Sequence, residues 1–129
     1  MAKFLLDTHV LMWLIGDPKS LSKKAHDIIV DTDSELYCSL INFWEIAIKV
    51  SIGKLDMSEN WQAVYQQALV ISDIKMVDID PLAIEKVQHL PLYHRDPFDR
   101  MLLAQAMVND LTFITADSKC HAYELNVVW

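Results

Sequence analysis

Five carboxylates hold the chemistry open to this chain: Asp7, Glu45, Asp96, Asp99 and Asp117. Asp96 precedes Pro97, and Asp99 lies three residues further on. Proline is favoured at the first helical position and Asp just before it as the N-cap. A helix therefore starts at Pro97, with two acids at the positive end of its dipole. Met101, Leu102, Leu103, Ala104, Ala106, Met107 and Val108 leave that helix almost no polar face, so it is expected to be buried. Hard divalent cations such as Mg²⁺ prefer carboxylate oxygen. They can hold a phosphodiester, lower the pKa of a water and stabilise a leaving oxygen. The histidines and the cysteines lack zinc-type spacing. Mg²⁺ is therefore expected, with Mn²⁺ as its substitute. No phosphate-binding Gly-rich loop, GxSxG elbow or Ser/His/Asp arrangement is visible. The remaining chemistry is metal-assisted hydrolysis.

The elements that must bring these acids together alternate along the chain. Lys3 to Leu6 predicts a buried strand ending at Asp7, with Thr8 capping the helix that follows. Gly16, Asp17 and Pro18 stop that helix. A second helix is expected from Leu21 to Val30, and a strand from Glu35 to Ser39. Asn42 and Glu45 have the spacing of a capping box, which predicts a helix from Asn42 to Ile52. Asn60 to Ser72 has helical apolar spacing, and Lys75 to Ile79 is strand-like. Asp80-Pro81 opens a helix as Asp96-Pro97 does, and Pro91 closes it. Leu111 to Thr115 predicts a strand, Lys119 to Glu124 a short helix, and Asn126 to Trp129 a closing strand.

Alternating strands and helices predict an α/β fold, a three-layer α/β/α sandwich around a mainly parallel sheet. Ligands of such sheets sit off the carboxyl ends of the strands, where strand order reverses. Asp7, Glu45, Asp99 and Asp117 all fall where a strand ends or a following helix begins, so all four belong to that edge.

The totals fit one domain over residues 1–129, long enough to bury roughly two-thirds of its unfolded surface. Apolar content is 53%, with only 2 Gly and 4 Pro, which argues against disorder. The longest apolar run, Val10 to Ile15, is too short for a membrane span, and Asp7 interrupts any signal-like start. Cys38 and Cys120 are expected as reduced thiols in a cytoplasmic protein. The net charge of −7 would count against a nucleic-acid partner. If the five acids share one site the remainder is −2, the acidity is then local, and it does not decide the partner.

FLLDTHVL from Phe4 to Leu11, NFWEIAIK from Asn42 to Lys49, DPFDRMLLAQA from Asp96 to Ala106 and FITAD from Phe113 to Asp117 stand in order along the chain. Together they resemble the four motifs of PIN domains, and most closely those of bacterial type II toxins of the VapC kind. The resemblance covers the whole chain. It implies a Mg²⁺- or Mn²⁺-dependent ribonuclease acting on RNA, a homodimer and a cognate antitoxin protein. Asp7, Glu45, Asp99 and Asp117 match the family's acidic quartet, as metal ligands and catalytic groups. Asp96 is a fifth acid that many relatives lack there, and its N-cap role alone accounts for it. Thr115 matches a hydroxyl near the site.

Lys49, Lys54, Arg95 and Arg100 flank the acids and are candidates for RNA phosphate contacts, or for ordinary solvated surface. His9 and His94 are expected as structural histidines, and Trp13, Trp44 and Trp61 as core or subunit contacts. Three other classes compete with the ribonuclease. A receiver domain would need an acidic pair after its first strand, where Asp7 is followed by Thr8 and His9. A phosphatase of the haloacid dehalogenase kind would need an acid at His9. A non-catalytic PIN-like binding module needs no intact quartet, which this chain has. An acidic mouth also predicts that the antitoxin blocks it with a segment carrying Arg or Lys.

Overall fold

The computed structural model describes residues 2–129. Strands β1 (Ala2–Leu6), β2 (Ser34–Ser39), β3 (Ile74–Val77), β4 (Thr112–Ile114) and β5 (Val127–Val128) form one sheet in the order β3-β2-β1-β4-β5. Every pairing is parallel. The helices are α1 (Thr8–Gly16), α2 (Lys23–Val30), α3 (Leu40–Ser51), α4 (Trp61–Ile71), α5 (Pro81–His89) and α6 (Pro97–Val108), with short 3-10 turns at Pro18–Ser20 and Ser118–Ala122.

Side chains alternate across the strands, and the alternation builds two cores. Phe4, Leu6, Leu36, Cys38 and Ile114 face one core with Val10 and Leu11 of α1, Phe43 and Ile46 of α3, and Trp61 of α4. Leu5 and Phe113 face the other, with Leu102, Leu103 and Ala106 of α6 and Ala83 of α5. The expected three-layer α/β/α architecture is therefore present. The chain turns outward from β1 in both directions, and strand order reverses between β1 and β4. That is the crevice where such sheets bind ligands. The strand order also removes the receiver reading. Receivers place the third strand beside the first, whereas β3 here is an edge strand.

Three local expectations change. Asp7, not Thr8, is the N-cap of α1, and its carboxylate accepts from Thr8 N–H at 2.7 Å. α3 starts at Leu40 rather than Asn42, because Ser39 is its cap and Asn42 is the third helical residue of the capping box. Glu45 is thereby freed from capping and lies one turn deeper, buried. α2 starts at Lys23 rather than Leu21, capped by Ser22. The Asp-Pro starts of α5 and α6 are as expected, with Asp80 and Asp96 accepting backbone N–H groups of the first turn. α3 ends as expected near Gly53, whose φ of 76° suits a residue without a side chain.

Candidate metal centre at the carboxyl edge

The end of β1 sets the first acid. Asp7 N–H continues the sheet ladder to Ile114 carbonyl oxygen at 3.0 Å, so the residue is fixed before its side chain acts. Its two carboxylate oxygens accept from Thr8 N–H and from the Thr115 hydroxyl, each at 2.7 Å. The Thr115 contact crosses from β1 to the end of β4, directly over the point where strand order reverses. Thr115 Oγ1 in turn accepts from Asp117 N–H at 3.1 Å and so shapes the turn that carries the next acid.

Glu45 reaches the same place from α3. It is 3% exposed, and its oxygens accept from the Thr8 hydroxyl and the Lys49 ammonium, each at 2.6 Å. Asn42 holds Thr8 from the other side, donating to Thr8 Oγ1 at 2.9 Å and to Leu6 carbonyl oxygen at 3.3 Å. Asp99 enters from the first turn of α6 beneath its cap Asp96. The cleft that results, about 430 Å³, is lined by Asp7, Glu45, Asp96, Asp99 and Asp117 together with His9, Trp13, Lys49, His94 and Ala116. The four acids expected at this edge, and the cap Asp96 beside them, therefore line one cleft. A larger hollow of about 870 Å³ lies at the opposite edge, around Lys86, Tyr93, Asp110 and Tyr123. It has no comparable gathering of acids.

Electrostatics distinguish these acids. Burial raises the pKa of Asp99 to about 8, and the charges of Asp7, Asp96, Glu45 and Asp117 add to the rise. Burial also pushes Asp7 up, against its hydrogen bonds from Thr115 and Thr8. Asp117 behaves oppositely. Burial works to raise it, but Lys119 N–H and the His94 ring outweigh that and hold it below the usual carboxylate value. Burial likewise opposes the charge on Lys49, yet Glu45, Asp96 and Asp99 keep its pKa above normal. Asp7 and Asp99 thus resist ionising side by side. A divalent cation would reverse that penalty, and oxygen is the donor it prefers. The donor set fits such an ion.

Asp96 sits differently from the quartet. One of its oxygens accepts from Phe98 N–H at 2.9 Å and from Asp99 N–H at 3.0 Å, as a helix cap does. Arg100 departs from the expected RNA contact. Its guanidinium donates to four backbone carbonyls: Val87 at 3.0 Å, Leu90 at 3.2 Å, Pro91 at 2.9 Å and His94 at 3.3 Å. It ties the end of α5 to the loop before α6 and has little left for a phosphate. Arg95 is exposed, and Lys49 and Lys54 line a groove that adjoins the cleft. Trp61 packs against Phe43 and Tyr65 in the core, Trp13 lies between His9 and Trp129 with its ring tilted to both, and Trp44 meets Phe98 edge-on while 56% exposed.

Spacing along the chain concealed three participants. His94 is 6% exposed, and its Nε2 lies 2.7 Å from Asp117 Oδ2 and 3.0 Å from Asp99 Oδ2. Thr8 and Asn42 connect Asp7's helix to Glu45. The one available signal was local: His94 stands two residues before an Asp-Pro cap, where its ring can meet the cap's own N–H.

Comparison with known proteins places this chain in a family. The PIN domain family model matches residues 4–125, and the chain belongs to that family. Ribonuclease VapC22 of Mycobacterium tuberculosis (strain ATCC 25618 / H37Rv) is 27% identical over 124 residues, covering 95% of this chain and 93% of the relative. The fold is that of the VapBC2 complex from Rickettsia felis bound to a promoter DNA fragment, with a TM-score of 0.73, 16% identity, and 98% and 97% of the two chains covered. A toxin-antitoxin complex from Klebsiella pneumoniae gives a TM-score of 0.62 at 20% identity, covering 100% and 97%. No helix among the described residues is long and apolar enough to cross a membrane.

Proposed function

We propose that this PIN domain is a metal-dependent endoribonuclease, the toxin of a type II toxin-antitoxin pair, folded as a single unit over residues 1–129. The observation that carries the reading is the meeting of Asp7, Glu45, Asp99 and Asp117 in one cleft at the switch point, with the Asp99 pKa raised to about 8 by burial and by its acidic neighbours. Likeness to ribonuclease VapC22 across nearly the whole chain supports it.

Asp7, Asp99 and Asp117 would hold Mg²⁺, or Mn²⁺ in its place, with Glu45 completing the set. When bound, such an ion supplies Lewis-acid polarisation of a phosphodiester and a water of lowered pKa. The chain's own groups do the rest. Thr115 keeps one Asp7 oxygen fixed, and Asp7's other oxygen is fixed by Thr8 N–H. Lys49, already held by Glu45, places a positive charge at the rim of an acidic cleft and can draw in a phosphate. Lys54 and Arg95 extend that charge outward. No thiol competes as nucleophile: Cys38 and Cys120 are buried, and burial pushes both thiols well above their ordinary pKa.

The cognate antitoxin is proposed to insert an Arg- or Lys-containing segment into this acidic mouth. A homodimer is proposed as well, and the exposed Trp44, set against Phe98, offers it an apolar face.

Cleavage of end-labelled total RNA by the purified protein tests the ribonuclease. Discrete fragments are expected with Mg²⁺ or Mn²⁺ and none with chelator. Equal cleavage in chelator would refute metal dependence, and no cleavage by a folded, metal-loaded protein would favour a binding module instead.

A further inference from the structure

We propose that His94 is a positioning residue of the metal centre, its Nε2–H holding Asp117 while the same nitrogen abuts Asp99 on a separate element. The proposal rests on reading those acids as metal ligands. Its geometry begins with the ring's other nitrogen. His94 Nδ1 lies 3.1 Å from Asp96 N. A backbone N–H can only donate, so Nδ1 must be the acceptor and carry no proton. The neutral ring then bears its hydrogen on Nε2. That hydrogen is directed at Asp117 Oδ2, 2.7 Å away, while Asp99 Oδ2 lies 3.0 Å from the same nitrogen. The imidazole thus presents a donor, not a lone pair, to the two carboxylates. It is suited to holding ligands rather than to being one.

The surroundings keep that tautomer in place. Asp96 N belongs to the cap of α6, so the group that fixes the ring also fixes the helix bearing Asp99. The His94 backbone N–H donates to Tyr123 Oη at 2.9 Å, and that hydroxyl donates to Pro91 carbonyl oxygen at 2.7 Å. Arg100 grips the carbonyls of Pro91 and His94 from the opposite side. The loop carrying His94 is thereby tied to α6 and to the end of the 3-10 turn that follows Asp117. Movement of either acid would have to carry the imidazole and both anchors with it.

Manganese titration reads this directly, by the loss of the free-ion electron paramagnetic resonance signal, in wild type, His94→Asn and His94→Gln. Asn can still accept from Asp96 N–H but cannot reach the two acids. Gln can extend an amide N–H towards the Nε2 position. Removing such an outer partner typically weakens metal affinity by roughly 10–100-fold. His94→Asn is therefore expected to bind Mn²⁺ at least ~10-fold more weakly, and His94→Gln to recover most of the loss. Tyr123→Phe, which loosens the loop without touching the ring, is expected to weaken binding in the same direction by a smaller factor, and it keeps the test open should His94→Asn fail to fold. Unchanged affinity in folded His94→Asn, or Gln no better than Asn, overturns the positioning role. Wild type that takes up no Mn²⁺ overturns the metal reading beneath it.

Discussion

Asp99→Asn is expected to lower RNA cleavage by more than ~100-fold while raising the melting temperature in chelator. The two effects share one cause. Changing a mere outer partner of a metal ligand costs up to about 100-fold, so losing a direct ligand should exceed that. Without metal, however, the Asp99 carboxyl is a liability. Burial and four neighbouring acids raise its pKa to about 8, so the folded chain must either protonate it or bear the repulsion. Asn has the same shape and no charge. It does give up an interaction with the N-terminus of α6, worth about 0.3–1 kcal/mol. The relief outweighs this, because each tenfold change in a group's proton affinity corresponds to about 1.4 kcal/mol. A net gain above ~1 kcal/mol, roughly 3–5 °C for a domain of this size, is expected. Such stability gained at the expense of activity is common where an active site stores repulsion. Scanning calorimetry beside the cleavage assay checks both halves. A variant that cuts normally, or that melts below wild type in chelator, would count against Asp99 as a metal-binding acid.

The metal-free protein should lose stability as pH rises from about 4 to about 8, and Mg²⁺ or Mn²⁺ should restore it most at the alkaline end. Asp7 and Asp99 both have folded-state pKa values above the ordinary 3.8. In that window the folded chain holds protons that the unfolded chain has released. Fewer protons on the unfolded state means that the free energy of unfolding falls with rising pH. The share of the loss that belongs to Asp99 is complete once pH passes its folded value, about 8. The other shifted groups act elsewhere. Asp27, Glu35 and Asp117 are held low and cost stability only under acid, below their ordinary values of 3.8 to 4.5. Lys49 is held above 10.5 and matters only in strong alkali. A bound cation competes with the proton, so its stabilising effect should grow with pH. Melting curves from pH 5.5 to 8.5, with chelator and with Mn²⁺, decide the matter. A chelated protein whose stability climbs across that range, or a metal effect independent of pH, would be inconsistent with ionised acids as the ligands.

Much of this site was legible because its acids occupy positions that secondary structure defines. Asp7 and Asp117 follow strands, Asp99 follows an Asp-Pro cap, and a parallel sheet brings strand ends to one edge. The element boundaries that shifted did so for local reasons. At α3, Ser39 competed with Asn42 for the cap, and either could have filled it from sequence alone. The rest was hidden by distance along the chain. His94 owes its position to Tyr123, 29 residues away, and to Arg100. Arg100 looked like a surface cation because the four carbonyls it serves come from the end of α5 and the loop beyond it. Gln105, inside a helix that read as wholly apolar, is fully buried, accepting from the Ser39 hydroxyl at 2.6 Å and donating to Asp78 carbonyl oxygen at 3.3 Å. Its partners come from β2 and from just after β3, and no periodicity reports such pairings.

Whether the acids at the switch point hold a divalent cation is decided by anomalous scattering from crystals soaked in Mn²⁺. The expected outcome is an anomalous peak among the carboxylates of Asp7, Asp99 and Asp117, with His94 outside the coordination sphere. His94, Asp117 and Cys120 offer ligand atoms that lie within 4.8 Å of one another and could also take an ion. A peak confined to that group, or acids that stay free of metal at saturating Mn²⁺, would mean that the quartet is not the metal centre.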